Sequence, residues 1–145
     1  MGKYWSDFVK QLTPYEPGEQ PCMDGVLKLN TNENPFGPSQ KVLSAIKAQL
    51  GNQLRLYPPP SADLLKQAIA NYYGLKGTQI FLGNGSDEIL AHVFNGLLKK
   101  GLPILFPDIT YSFYPVFCQL FDIDFKEIPL KDDLSIDLAD YEVPN

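Results

Sequence analysis

Residues 80–107 read IFLGNGSDEILAHVFNGLLKKGLPILFP, and the texture of this stretch decides the fold. Ile80-Phe81-Leu82 is a short apolar run of strand type, and Gly83-Asn84-Gly85 is a tight turn. Ser86 to Lys99 follows with helical spacing of its apolar residues and stops at Gly101. Pro103 to Pro107 then carries Ile104-Leu105-Phe106, the pattern of a buried strand. Beyond it the spacing predicts a helix from about Ser112 to Phe121 and a strand over Phe125 to Ile128. This β-α-β-α-β order predicts an α/β fold with a mostly parallel sheet and helical crossovers.

Upstream the texture changes. Ser61 is placed to cap a helix through Tyr73, apolar at Leu64, Leu65, Ala68, Ile69 and Tyr72 and closed by Gly74. Ser39 is placed to cap another to about Leu50, with Val42, Leu43, Ile46 and Leu50 on one face. The first 60 residues hold eight of the thirteen prolines and read as an arm rather than a domain. An amphipathic run, Trp5 to Leu12, leads into the turn-rich Thr13 to Gly18. Val26-Leu27-Lys28-Leu29 reads as a short strand, ending in the polar, proline-broken stretch Asn30 to Pro38.

Composition narrows the function. At 145 residues, 44% hydrophobic and 20% charged, the chain has the size and balance of one globular domain. A net charge of −5 argues against a nucleic-acid backbone as partner. Lys131 to Asn145 alone carries five acids and one lysine, and is read as a solvated loop. No apolar stretch is long enough for a membrane helix, and the N-terminus lacks a signal-peptide core. Cys22 and Cys118 are isolated, which suggests neither a disulfide framework nor a zinc site, so a cytoplasmic location is expected. Histidine-based nucleophilic or metal chemistry would have to run through the single His92. No metal site is expected.

Gly83-Asn84-Gly85-Ser86-Asp87-Glu88 is the most informative local feature. A glycine-rich turn that leaves a strand and opens a helix gathers free N–H groups at the positive end of the helix dipole. Such a site suits a phosphate dianion, although the spacing completes neither a dinucleotide fingerprint nor a P-loop. The alternative is a helix capped by Ser86, with Asp87 and Glu88 in the first turn for dipole reasons. On a helical wheel Ile89, Leu90, Val93, Phe94, Leu97 and Leu98 share one arc. Glu88 falls opposite that arc, Asp87 near its edge, and His92 on the polar side. After the second strand come Tyr111 and Tyr114. Ligands in open α/β sheets bind beyond the carboxyl ends of strands. Tyr111 is therefore the candidate for stacking on a planar ring, and Tyr114 for covering the core.

Together LTPYEPGEQP, KLNTNENPFGPS, RLYPPP, FLGNGSDEIL and Pro107-x-x-x-Tyr111-x-x-Tyr114 resemble the N-terminal part of the histidinol-phosphate aminotransferases. These are pyridoxal-phosphate (PLP) enzymes of the aspartate aminotransferase fold (fold type I). The resemblance covers nearly the whole chain. It implies an arm and part of a small domain over 1–38, then the N-terminal portion of a PLP-binding large domain over 39–145. It implies cofactor contacts from Gly85, Ser86, Asp87 and Glu88, a pyridine stack by Tyr111, and a phosphate contact by Tyr57 across a homodimer. Tyr15, Asn32 and Asn34 are implied to meet the substrate. The implied reaction takes histidinol phosphate and 2-oxoglutarate to imidazole-acetol phosphate and glutamate, in histidine biosynthesis. The family's Schiff-base lysine lies beyond the matched segment. No catalytic residue is therefore assigned here, and the chain reads as an inactive N-terminal fragment of a longer enzyme. Related threonine-phosphate decarboxylases and aromatic-amino-acid aminotransferases fit much of the pattern. A non-catalytic phosphate-binding or interaction module is the alternative from another class.

Overall fold

A computed structural model describes residues 2–15, 18–19 and 25–145. Its regular elements are α1 (Asp7–Gln11), α2 (Gln40–Gln49), α3 (Asp63–Tyr73), α4 (Gly85–Val93), β1 (Ile104–Pro107), α5 (Phe113–Phe121) and β2 (Phe125–Ile128). They fall into two compact units, one of Met1–Glu16 with Gly83–Asn145, the other of Pro17–Leu82. Cys22 and the Glu16-Pro17 step lie outside the described residues.

In the second unit, the Ser39 hydroxyl accepts the Val42 N–H at 3.4 Å and starts α2 as the sequence predicts. The expected Ser61 cap on α3 does not form. Ala62 holds the N-cap position in the left-handed region (φ 48°), and the Ser61 hydroxyl donates to Asp63 Oδ2 at 2.7 Å. With Ala62 in the N-cap position, Ser61 lies one residue outside it, out of register for capping the first-turn amides. Gly74 closes α3 at φ 67°, with the Leu75 N–H reaching the Ala70 carbonyl at 2.8 Å. Val26–Leu29 and Ile80–Leu82, both expected as strands, are not: among the described residues neither has a ladder partner. Apolar sequence makes a segment extended, as at Ile80 (φ −108°, ψ 123°), but only a neighbour makes it a strand. The 26–36 region is ordered by polar contacts instead. Lys28 pairs with Glu33 at 2.7 Å, and Asn34 Oδ1 accepts the Phe36 N–H at 2.9 Å.

The first unit carries the sheet. β1 and β2 are parallel, with Ile104 opposite Phe125 and Pro107 opposite Ile128, and α5 makes the crossover. The alternation runs past the strand ends: the Ile104 N–H donates to the Asp124 carbonyl at 2.8 Å and the Asp108 N–H to the Ile128 carbonyl at 3.0 Å. Phe94, Phe106, Phe117, Cys118 and Ile123 form the buried core, flanked by Leu90, Phe113, Tyr114 and Phe125. Aromatic pairs knit it, among them Phe94–Phe117 at 5.4 Å and Phe106–Phe125 at 5.2 Å between ring centres. Tyr114 lies against both Phe94 and Phe106, the core role expected of it. Asp122, left-handed at φ 55°, ends α5, and the Lys99 ammonium donates to the Phe121 carbonyl at the same negative helix end.

The helix expected over residues 86–99 is α4 followed by a π turn, Phe94–Leu98. Wider i→i+5 winding rotates the last residues off the wheel's arc. Phe94 is accordingly buried while Leu97 is 61% exposed. His92 is exposed, as its place on the wheel predicts. The acidic tail is exposed yet locally ordered: Lys131 pairs with Asp137 at 2.9 Å, and Asp133 Oδ1 accepts from the Ser135 hydroxyl at 2.6 Å.

Candidate functional site

The site grows from the turn before α4. A Cβ at Gly83 would stand 2.7 Å from Ile89 Cδ1 and 2.9 Å from Glu88 Oε2, so a side chain there would push aside the two side chains that fold back over the turn. Gly85 takes φ +83° and faces open space. No side chain caps α4 at its N-cap, Asn84. Ser86 therefore does not cap it, and the N-cap residue offers no side-chain acceptor to the first-turn amides. Glu88 does not point away as the wheel suggests; its carboxylate curls back to accept the Asn84 N–H. It engages the N-cap amide, and the first-turn amides of Ser86 and Asp87 are not taken by a side chain.

Tyr111 stands four residues beyond the end of β1, where the open-sheet rule places ligands. Its hydroxyl donates to Asp87 Oδ1 at 2.8 Å. This bond ties the ring to the same first turn of α4 that carries the free amides. The hydrogen bond to the carboxylate, with some desolvation and the carboxylate's charge, pushes the phenol up to about 12. The phenol therefore stays a neutral donor throughout the physiological range. Tyr111 packs at 84° against Tyr114 and at 28° against Phe113, and remains 41% exposed. Phe113 in turn meets the Tyr15 ring, with centres 4.3 Å apart. The first unit thus brings Gly85, Ser86, Asp87, Glu88, Tyr111 and Tyr15 into one neighbourhood.

Tyr57, Asn32 and Asn34 belong to the second unit. Tyr57 is fully exposed, Asn32 is left-handed at φ 51°, and the Asn34 amide oxygen is engaged by Phe36. Two features of the first unit were not legible beforehand. One is the use of Asp87 as an acceptor for Tyr111, which no local spacing reveals. The other is Asp108, whose Oδ1 accepts both the Ile109 and Leu130 N–H groups at 3.0 Å. A polar residue straight after an apolar strand was the available signal for it.

An uncapped helix N-terminus beside a tethered, half-open aromatic ring suits a ligand that joins a phosphate to a planar ring. The family of class I and II aminotransferases matches residues 24–143. The chain belongs to that family. Among its relatives, histidinol-phosphate aminotransferase 1 of Pseudomonas fluorescens is 59% identical over 145 residues, all of this chain and 41% of that protein. The enzyme of the same name from Methylococcus capsulatus is 60% identical over the same shares. This aminotransferase-family chain thus spans about two fifths of the length of the curated relatives it matches. A crystal structure of histidinol-phosphate aminotransferase from Sinorhizobium meliloti in complex with pyridoxal-5'-phosphate superposes with a TM-score of 0.64 at 28% identity. It covers 71% of this chain and 28% of that one. The likeness bears out the α/β aminotransferase fold expected from sequence. Among the described residues no helix is long and apolar enough to cross a membrane.

Proposed function

We propose that the chain is the N-terminal part of a PLP-dependent histidinol-phosphate aminotransferase, acting as a homodimer in the cytoplasm. Its reaction moves the amino group of histidinol phosphate to 2-oxoglutarate, giving imidazole-acetol phosphate and glutamate. The observation that carries the reading is the 2.8 Å bond from Tyr111 to Asp87, which sets an aromatic ring beside the free amides of α4. The identities of 59% and 60% to enzymes of this name support the choice of substrate.

When bound, PLP would supply the electron sink that carbanion chemistry at the amine-bearing carbon requires. The chain's own part is binding and orientation. The Ser86 and Asp87 N–H groups, at the open face beside Gly85, hold the cofactor phosphate at the helix's positive end. Tyr111 covers one face of the pyridine and keeps water from it. Asp87 anchors Tyr111, and Glu88 fixes the turn through the Asn84 amide. Tyr57, with its side chain fully in solvent, is free to donate to the phosphate bound by a neighbouring subunit. Tyr15, Asn32 and Asn34 meet the substrate. Residues 1–38 form the arm and part of the small domain, and 39–145 open the large domain. No residue of this chain is assigned the proton transfer at the α-carbon.

The test is amino transfer by the intact enzyme to 2-oxoglutarate, read as glutamate formed. Histidinol phosphate is compared with threonine phosphate and phenylalanine. Preference for histidinol phosphate in kcat/KM is expected. Carbon dioxide release from threonine phosphate, or preference for phenylalanine, overturns the assignment in favour of a sister enzyme.

A further inference from the structure

Asp108 sits where the parallel ladder ends. The alternation that gives the Asp108 N–H to the Ile128 carbonyl assigns the next donor, the Leu130 N–H, to the Asp108 carbonyl. The side chain takes that bond instead: Asp108 Oδ1 accepts the Leu130 N–H at 3.0 Å, across 22 residues, and the adjacent Ile109 N–H at the same distance. A carboxylate substituting for a main-chain carbonyl keeps β2 paired while releasing the main chain of β1 to turn toward Tyr111.

The link from Asp108 to Tyr111 has little else to hold it. Ile109 is 66% exposed and so gains little from packing. Residues 108–110 are bends without regular structure. The next anchors are at Tyr111 itself, whose carbonyl accepts the Tyr114 N–H at 3.0 Å and whose hydroxyl reaches Asp87. Beyond its packing on Phe113 and Tyr114, the Tyr111 ring is thus held between a clamp on the sheet and a tether on α4. We propose that Asp108 is a positioning residue that sets where the Tyr111 ring stands, and with it the aromatic wall of the cofactor slot. The cofactor half of this statement rests on the function proposed above; the geometric half does not.

The experiment uses the intact enzyme with its tyrosines carbon-13 labelled at Cζ, the Tyr111 signal being assigned by its loss in Tyr111→Phe. Two quantities are read for each variant, the titration midpoint of Tyr111 and the affinity for PLP. In Asp108→Ala the Tyr111 midpoint is expected to fall from about 12 toward the ordinary 10.0, because the ring drifts from Asp87. PLP affinity is expected to fall several-fold with it, and Asp108→Asn, which keeps an acceptor oxygen in place, is expected to restore both in large part. Should the alanine variant fail to fold, Asp108→Ser serves, since its short hydroxyl reaches Ile109 next door but not Leu130. A folded alanine or serine variant with an unmoved Tyr111 midpoint overturns the proposal. A shifted midpoint with unchanged PLP affinity overturns its cofactor half. A parent enzyme that binds no PLP overturns the functional reading, while the Tyr111 midpoint still decides what Asp108 does.

Discussion

The Tyr111 hydroxyl and Asp87 Oδ1 meet at 2.8 Å across 24 residues of sequence, joining the loop after β1 to the first turn of α4. Two acids in a turn proposed to hold a phosphate look self-defeating, and this bond removes half of the difficulty. Asp87 aims its charge at a phenol instead of at the anion. Its backbone N–H, fixed by the helix, stays available to the proposed anion.

The bond has a pH signature. The folded phenol titrates near 12 against 10.0 for a free one, mainly because Asp87 accepts a hydrogen bond from its hydroxyl. A folded value above the unfolded one means that the stabilisation is fully present below pH 10 and is lost as pH rises through 12. In Asp87→Asn the amide oxygen is a weaker acceptor and the charge is gone. The Tyr111 midpoint is expected to move down toward 10.0, as read by tyrosinate absorbance against a Tyr111→Phe reference. A midpoint unchanged in Asp87→Asn sinks the assignment of that cause.

The same ring is expected to matter for PLP. Tyr111→Ala removes the stacking surface, and aromatic pairing alone contributes roughly 0.5–1.5 kcal/mol beyond area burial. Affinity should drop by several-fold or more, since each 1.4 kcal/mol is about tenfold. Tyr111→Phe keeps the ring but cuts the tether, so its affinity should fall between alanine and parent. Equilibrium titration with PLP, followed by cofactor absorbance, ranks the three. An alanine variant as tight as the parent ends the stacking assignment.

The fold was most legible where a pattern could be satisfied locally. The Ser39 cap and the Gly74 stop need only short-range chemistry, and each stands where the spacing puts it, while β1 and β2 are strands because each finds the other as its ladder partner. The Ser61 cap is missing because a left-handed Ala62 takes the N-cap position, a backbone choice that spacing does not reveal. Val26–Leu29 and Ile80–Leu82 failed because a strand is a relation between segments, which alternation within one segment does not contain. The site divides the same way. The Gly83–Gly85 turn and the place of Tyr111 beyond β1 follow from sequence, whereas the Tyr111–Asp87 bond joins residues that no motif connects.

Cys118 gives a check on the core. It is fully buried within the aromatic cluster, and burial pushes its thiol up to about 11. The thiolate is the reactive form, so both access and acidity protect it at neutral pH. Modification of Cys118 by a maleimide at pH 7, followed by peptide mass mapping, is expected to track global unfolding in denaturant. Rapid labelling in native buffer would mean that the core of Phe94, Phe106 and Phe117 opens locally.

Glu88 sets two effects against each other. Its carboxylate accepts the Asn84 N–H and sits in the first turn of α4, where negative charge favours the helix. Glu88→Gln keeps an acceptor oxygen but removes that charge, which should cost about 0.3–1 kcal/mol of stability. The same change removes a negative charge close to the amides proposed to hold the phosphate, so PLP affinity should rise. Because both groups are exposed, the gain should be largest at low ionic strength and shrink as salt shortens the Debye length below about 10 Å. The variant is therefore expected to melt lower without cofactor, yet to bind PLP more tightly than the parent at low salt. Titrations at low and high ionic strength separate the two effects. If Glu88→Gln weakens PLP binding at every ionic strength, the Glu88–Asn84 bond shapes the turn more than its charge repels the phosphate, and the carboxylate is then a structural part of the cradle.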